Sequence, residues 1–245
     1  MRAIRNTSPS VGLVWDQRPG SLAWEFHASR SVRVPTWIEL FGHLGGIVGN
    51  RELEPEEISS VDLAVTARPG GGATLRAAVF VAKTENTIIF VPNSQRTSRA
   101  ENAGAGRNRG LELELWLDLP ADLGLQANAT FQHPRDASGI PAYDGKHLPF
   151  LCDREGFLRV RHDGRALAPW GEVLLQSSNY RDRYNTELGK APARTLVNLG
   201  LDWSLAAGRL VLAGAVLNLT DNSVYDVEGY PLPGRSWRAS VGYRP

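Results

Sequence analysis

Residues 110–132 read GLELELWLDLPADLGLQANATFQ. Leu111, Leu113, Leu115, Leu117 and Leu119 share one phase, and Glu112, Glu114, Trp116 and Asp118 share the other. After PADLG (120–124), Leu125, Ala127, Ala129 and Phe131 alternate with Gln126, Asn128, Thr130 and Gln132. A period of two puts successive side chains on opposite faces of an extended chain. Each half is therefore a strand with one apolar and one polar face, and the Pro/Gly-containing break between them makes a hairpin.

The same period extends outward. Leu22, Trp24, Phe26 and Ala28 alternate with Ala23, Glu25, His27 and Ser29, and Val197, Leu199, Leu201, Trp203 and Leu205 with Asn198, Gly200, Asp202 and Ser204. About eleven strands are expected, near 10–16, 22–30, 60–68, 73–85, 108–119, 125–132, 154–162, 171–180, 195–205, 209–219 and 236–245, with one short helical segment at Thr36–Gly42. Most reach the roughly nine residues that cross a bilayer when tilted.

Connection lengths alternate. RPGS (18–21), PGGG (69–72), PADLG and AAGR (206–209) are tight, and DGRALAP (163–169) falls where a short link is due. Between them lie long connections at 31–59, 86–107, 133–153, 181–194 and 220–235. Short periplasmic turns and long outer loops are the rhythm of a transmembrane β-barrel. On that reading Trp15, Trp24, Trp203 and Tyr243 lie on the apolar phase at the short-turn end, where an aromatic girdle meets lipid headgroups.

A soluble β-sandwich or lipocalin-like barrel shares the alternation and the tight turns. Composition excludes other classes more firmly. Among 245 residues, 27 Lys and Arg balance 26 Asp and Glu, giving a net charge of +1 and no reason to expect nucleic acid as partner. The single cysteine, Cys152, excludes an internal disulfide and a Cys-based metal cluster. No stretch approaches the ~20 apolar residues of a membrane helix, and MRAIRNTSPS holds no apolar run of signal-peptide kind.

Residues 29–56, SRSVRVPTWIELFGHLGGIVGNRELEPE, resemble a signature of TonB-dependent outer-membrane receptors. Ser29, Arg30, Arg33, Pro35, Thr36, Glu39, Leu40, Phe41, Gly49, Asn50, Leu53, Pro55 and Glu56 carry the match. Phe80, Asn86 and Ile88, then Gly110–Leu111–Glu112, fit at their expected places. Asn218, Leu219, Asp221, Tyr225, Tyr230, Pro231, Pro233, Gly234 and Arg235 resemble the family's final loop and strand.

The resemblance implies an all-β fold, an antiparallel meander forming the carboxyl-terminal half of a 22-stranded transmembrane β-barrel. Residues 1–245 would be that partial domain, without the plug and the first half of the barrel. It implies residence in the outer membrane of a Gram-negative bacterium and energised uptake of a scarce nutrient, above all a ferric siderophore or similar chelate. TonB would act only through the plug. A plugless porin-like assembly is a further alternative.

No catalytic constellation or resident cofactor emerges. The five histidines (27, 43, 133, 147 and 162) are scattered, and neither a metalloprotease helix nor a nucleophile motif is present. AENAGAGRNRG (100–110) lacks the Lys-Ser/Thr of a phosphate loop and reads as a flexible loop. The polar phases, including Glu112, Glu114, Asp118, Asn128, Asn198 and Asp202, would line a wet lumen. Candidate ligand contacts are Arg96, Arg99, Tyr180, Arg181, Arg183 and Tyr184, since Arg and aromatics suit anionic, planar chelates. They equally suit lipid phosphates or plain loop solubility. His43 sits where haem-transporting relatives carry a histidine, so it is either an axial ligand or an exposed loop residue.

Overall fold

The computed structural model describes residues 6–43, 46–92, 97–227 and 230–243. The chain runs β1 (Ser10–Arg18), β2 (Leu22–Arg33), the short helix α1 (Trp37–Phe41), β3 (Ile47–Val48), β4 (Glu56–Gly70), β5 (Ala73–Pro92), β6 (Ser98–Leu119) and β7 (Leu123–Gln132). It continues through β8 (Arg135–Asp136), β9 (Arg154–His162), β10 (Leu167–Gln176), β11 (Arg194–Leu205), β12 (Leu210–Leu217), β13 (Tyr225–Val227), β14 (Tyr230–Pro231) and β15 (Ser236–Tyr243). Among the described residues, the long strands form one antiparallel meander, β1-β2-β4-β5-β6-β7-β9-β10-β11-β12-β15, with β3 and β8 attached to β6 and β13–β14 a small separate hairpin. These eleven long strands match the expected number.

Register shows how the alternation is used. Direct cross-strand partners point to the same face. One row runs Trp24, Val65, Ala77, Leu113, Ala129, Gly156, Leu175 and Thr195 across eight strands. A row on the opposite face runs Glu25, Ala64, Ala78, Glu112, Thr130, Glu155, Gln176 and Arg194. The apolar face is the open one: Leu13, Trp15, Val79, Leu175, Leu199, Trp237 and Val241 are all exposed. On the polar face the small residues Ala23, Ala64, Thr66 and Ala78 are buried, and Arg76 bridges Glu25 and Glu114 above them, at 3.6 and 3.3 Å. Relative to a water-soluble sheet the pattern is inside out.

Two polar-face rings lie across glycines on the neighbouring strand. A Cβ at Gly200 would stand 2.3 Å from Trp170, and one at Gly110 would stand 2.7 Å from the Phe80 ring. Both glycines are the direct register partners of those aromatics. Gly110 within the quoted hairpin is thus a seat for a ring.

Several boundaries differ from the sequence expectation. The supposed long connection at 86–107 is mostly ladder: β5 continues to Pro92 and β6 begins at Ser98, with a register shift between Thr84 and Thr87 and Asn86 at φ 54°. AENAGAGRNRG is therefore strand rather than flexible loop, because backbone pairing needs no apolar phase. Strand β10 spans Leu167–Gln176 rather than 171–180. Pro169 closes the expected DGRALAP link, but pairing with β9 begins only at Trp170, so β10 is locally an edge there and tolerates the missing N–H. Strand β4 starts at Glu56, earlier than expected, because Glu56 is already engaged by Arg33. The expected 236–245 strand is seen as Ser236–Tyr243, and its last two residues lie outside the described set.

Candidate functional site

The long connections gather at one end of the sheet, and the signature residues of 29–56 build one network there. Thr36 caps α1 and forms a capping box with Glu39. Arg33 donates to Glu39 through both terminal nitrogens, at 3.1 and 3.0 Å, and to Glu56 through Nε at 2.6 Å. Glu39 also accepts from the Thr36 amide at 2.6 Å, and Glu56 accepts from the Ile88 amide at 2.7 Å. Both carboxylates are buried. Burial acts to raise the Glu39 and Glu56 carboxyls, but the Arg33 guanidinium and the backbone donors outweigh it and hold both below the usual range.

The rest of the motif closes the same joint. The Asn50 amide N–H donates to the Glu39 carbonyl at 2.7 Å and its side chain to the Ala100 carbonyl at 3.1 Å. A Cβ at Gly49 would collide with the backbone of Leu40 and Phe41 at 2.6 Å. Leu53, Ile88 and Ala100 form a small buried cluster against which Leu40 packs. The motif docks α1 onto the tall β5–β6 hairpin, so its residues are architectural.

The carboxyl-terminal motif behaves likewise. Asn218, at φ 50°, exchanges hydrogen bonds with the backbone of Asn222, and Asp221 accepts from the Arg235 amide at 2.7 Å.

Residues 2–219 match the family model described as TonB dependent receptor-like, beta-barrel. The chain belongs to the TonB-dependent receptor β-barrel family. Members of this family are transporters rather than enzymes. Among solved structures, the copper transporter OprC matches with TM-score 0.78 at 16% identity, over 96% of this chain and 39% of its own. The ferric yersiniabactin uptake receptor FyuA from Yersinia pestis matches with TM-score 0.72 at 20% identity, over 95% and 35%. A mutant of the ferric enterobactin receptor PfeA from Pseudomonas aeruginosa matches with TM-score 0.75 at 17% identity, over 96% and 40%. At such identities the likeness is one of fold, and the chain spans well under half of each of these proteins.

Ligand candidates divide by place. Arg183 donates to Asp136 at 2.7 Å and lies 4.1 Å from the Tyr143 ring. Tyr143 and Tyr184 share a hydroxyl–hydroxyl bond of 2.9 Å, and Lys146 donates to the Tyr184 carbonyl at 2.8 Å. Tyr180 donates to Glu187 at 2.8 Å, and Arg181 donates to the Tyr225 carbonyl while stacking on that ring at 4.3 Å. These four candidates come together, locking the 133–153 connection to the 177–193 connection and to the last loop. Burial acts to raise the Asp136 carboxyl, but Ser138 and Arg183 outweigh it and hold it low. Exposed His43 follows α1, exposed Arg99 lies in β6, and Arg96 lies outside the described residues. Among the described residues no group of three or more His, Cys, Asp or Glu could hold a metal ion.

A cavity of about 570 Å³ opens between these loops, lined by Phe150, Gln176, Asn179, Ala191, Arg194, Thr195, Asn222, Ser223 and Tyr225. None of the sequence-derived ligand candidates lines it. Its amides and hydroxyls come from the 177–193 connection, the last loop and the facing ends of β10 and β11, which only the meander brings together. Arg181, stacked on the lining residue Tyr225, and Tyr180, whose carbonyl accepts from the Phe150 amide at 2.7 Å, link that prediction to the cavity.

Proposed function

We propose that this chain supplies carboxyl-terminal barrel wall and outer loops to a TonB-dependent outer-membrane receptor that imports a ferric siderophore or similar metal chelate. The observation that carries the reading is the inside-out sheet: a continuous row of exposed apolar side chains on one face and ion-paired, amide-rich side chains on the other. Lipid is the solvent for the first face and a wet lumen for the second. A water-soluble sandwich would bury the first against a second sheet. Among the described residues β1 and β15 each pair on one side only, which supports their joining further strands of a larger, 22-stranded barrel. The plug, through which TonB would pull, belongs to that larger receptor.

Trp15 and Trp24 are direct register partners beside the 18–21 turn, and Tyr243 pairs with Leu210 just after the turn that follows Trp203. This common level and their apolar phase support a girdle at the periplasmic headgroups. The cavity of Asn179, Arg194, Thr195 and Asn222 is the proposed contact for the chelate, with Arg181 and Tyr180 bracing its wall. Arg99 and His43 would reach ligand only from the outer rim.

Iron-starved cells expressing the complete receptor test the proposal with radiolabelled ferric complexes of a catecholate, a hydroxamate and a phenolate siderophore. Uptake of at least one, abolished by an uncoupler and lowered at least ten-fold in binding by Asn179→Ala with Asn222→Ala, is the expected result. No energised uptake of any of the three rejects the chelate.

A further inference from the structure

On the lumen face several arginines have carboxylate partners. Arg76 has Glu25 and Glu114, Arg159 has Glu172, and Arg161 has Asp163. The apolar face differs at its long-loop end. Lys83 is the direct register partner of Arg107, and Arg107 is also paired with Arg135. One step nearer the sheet centre, Arg109 accepts through its carbonyl from the His133 amide at 2.8 Å, and Phe131 partners Arg154. Lys83, Arg107, Arg109, His133 and Arg154 are all exposed.

Of the carboxylates nearby, Glu85 pairs with Lys83 within the patch at 2.7 Å, and Asp153 is committed to His147 at 2.8 Å and Arg135 at 3.8 Å. Among the described residues no carboxylate pairs with Arg107, Arg109 or Arg154. Like charges directly opposite across strands repel, so this surface is arranged at a cost that an anion would offset.

Phase and height define the anion. Arg107 and Arg109 continue the phase of Leu111, Leu113 and Leu115 along β6, so the cations stand directly above the apolar belt. Four residues below Arg109, about 13 Å along the strand, a shallow apolar depression of about 330 Å³ is lined by Val65, Leu75, Ala77, Leu113, Ala127 and Ala129. A charge-bearing head above and an acyl-sized groove below fit one molecule, an anionic lipid. At the long-loop end of a barrel that lipid belongs to the outer leaflet.

We propose that Arg107, Arg109 and Arg154, flanked by Lys83 and His133, bind the phosphate groups of a phosphorylated glycolipid of the outer leaflet, with an acyl chain over the Ala77–Leu113–Ala129 depression. Guanidinium forks match phosphate oxygens in geometry and charge. The assignment rests on the membrane-wall reading above.

The complete receptor containing this chain is reconstituted into phosphatidylcholine nanodiscs containing bisphosphorylated lipid A or its fully dephosphorylated form, and retained glycolipid is counted by native mass spectrometry. Wild type is expected to retain the phosphorylated form at least ten-fold over the other, and the excess should shrink as salt rises from 50 to 500 mM. R107A/R109A/R154A should lose the excess at unchanged strand content. If that variant misfolds, the single substitutions, each expected to lower retention at least three-fold, take its place. Insertion with equal retention of both lipids, or an excess untouched by the substitutions, overturns the rim site alone. Failure to insert into any bilayer overturns the membrane wall and the rim site together.

Discussion

Arg33 holds two carboxylates whose other donors are backbone amides and the Thr36 hydroxyl, so its neighbourhood explains how a family motif rich in charge can serve the fold. Removing the Glu56 side chain leaves the Ile88 amide buried without an acceptor and strips Arg33 of one partner. Such a loss costs about 1–3 kcal/mol for an unsatisfied buried group, discounted here because Arg33 is partly exposed. Glu56→Ala should therefore speed hydrogen exchange of the Ile88 amide by about ten-fold or more, while amides of β11 remain unchanged. The Asp136–Arg183 pair gives a second outcome at this scale. The folded-state carboxyl lies below its usual value, so its stabilisation is complete above the normal carboxylate range and is lost as pH falls through the depressed folded value. Spin labels at Pro141 and Leu188, in a Cys152→Ser background, should report a broadened inter-loop distance as the medium is acidified. Asp136→Asn should show the broadened distribution already at neutral pH and little further change on acidification.

At the scale of elements, alternation made most of the sheet legible, because a strand between lipid and lumen must change medium at every residue. Leu111–Leu119 and Val197–Leu205 were plain for that reason. Where the two faces do not differ the signal vanishes: Thr87–Pro92 is apolar on both phases, with Ile88 buried beside Leu53 and Ala100, and Ser98–Arg107 has no apolar phase, so both are strands held by pairing to each other. The cavity was equally silent, since Asn179, Arg194 and Asn222 are distant in sequence and polar residues are expected in loops. Motif residues were visible as a family resemblance, but their joint role required the docking of α1 to appear. Glycine seats could be read only with register in hand. Gly200→Ala drives a methyl into Trp170, and overpacking of this kind costs about 1–3 kcal/mol. The urea unfolding midpoint in detergent should fall accordingly, and Trp170→Ala combined with Gly200→Ala should cost less than the two single changes added. Strict additivity would mean that ring and glycine do not share the space.

The whole molecule poses one question its parts do not: which medium covers a face bearing Leu199, Leu201, Trp203, Leu113, Val160 and Val241, all exposed. Water would impose a large hydrophobic penalty over eleven strands, and a second sheet would need a second set of apolar strands, which the meander does not provide among the described residues. Lipid removes the penalty without a partner. The two media make opposite demands on one substitution. In water, Leu199→Arg replaces an exposed apolar side chain and stays within about 0.5 kcal/mol of wild type. Facing hydrocarbon near mid-strand, the same arginine costs about 2–4 kcal/mol. Asp202→Arg, on the opposite phase of β11 where the lumen is hydrated, should cost little in either case. Folding yields and unfolding free energies measured in phospholipid vesicles should therefore separate the two variants by several kcal/mol, with the gap closing for charges moved toward the Trp203 end. Equal tolerance of both arginines would remove lipid from the apolar face, and with it the reason the long strands alternate at all.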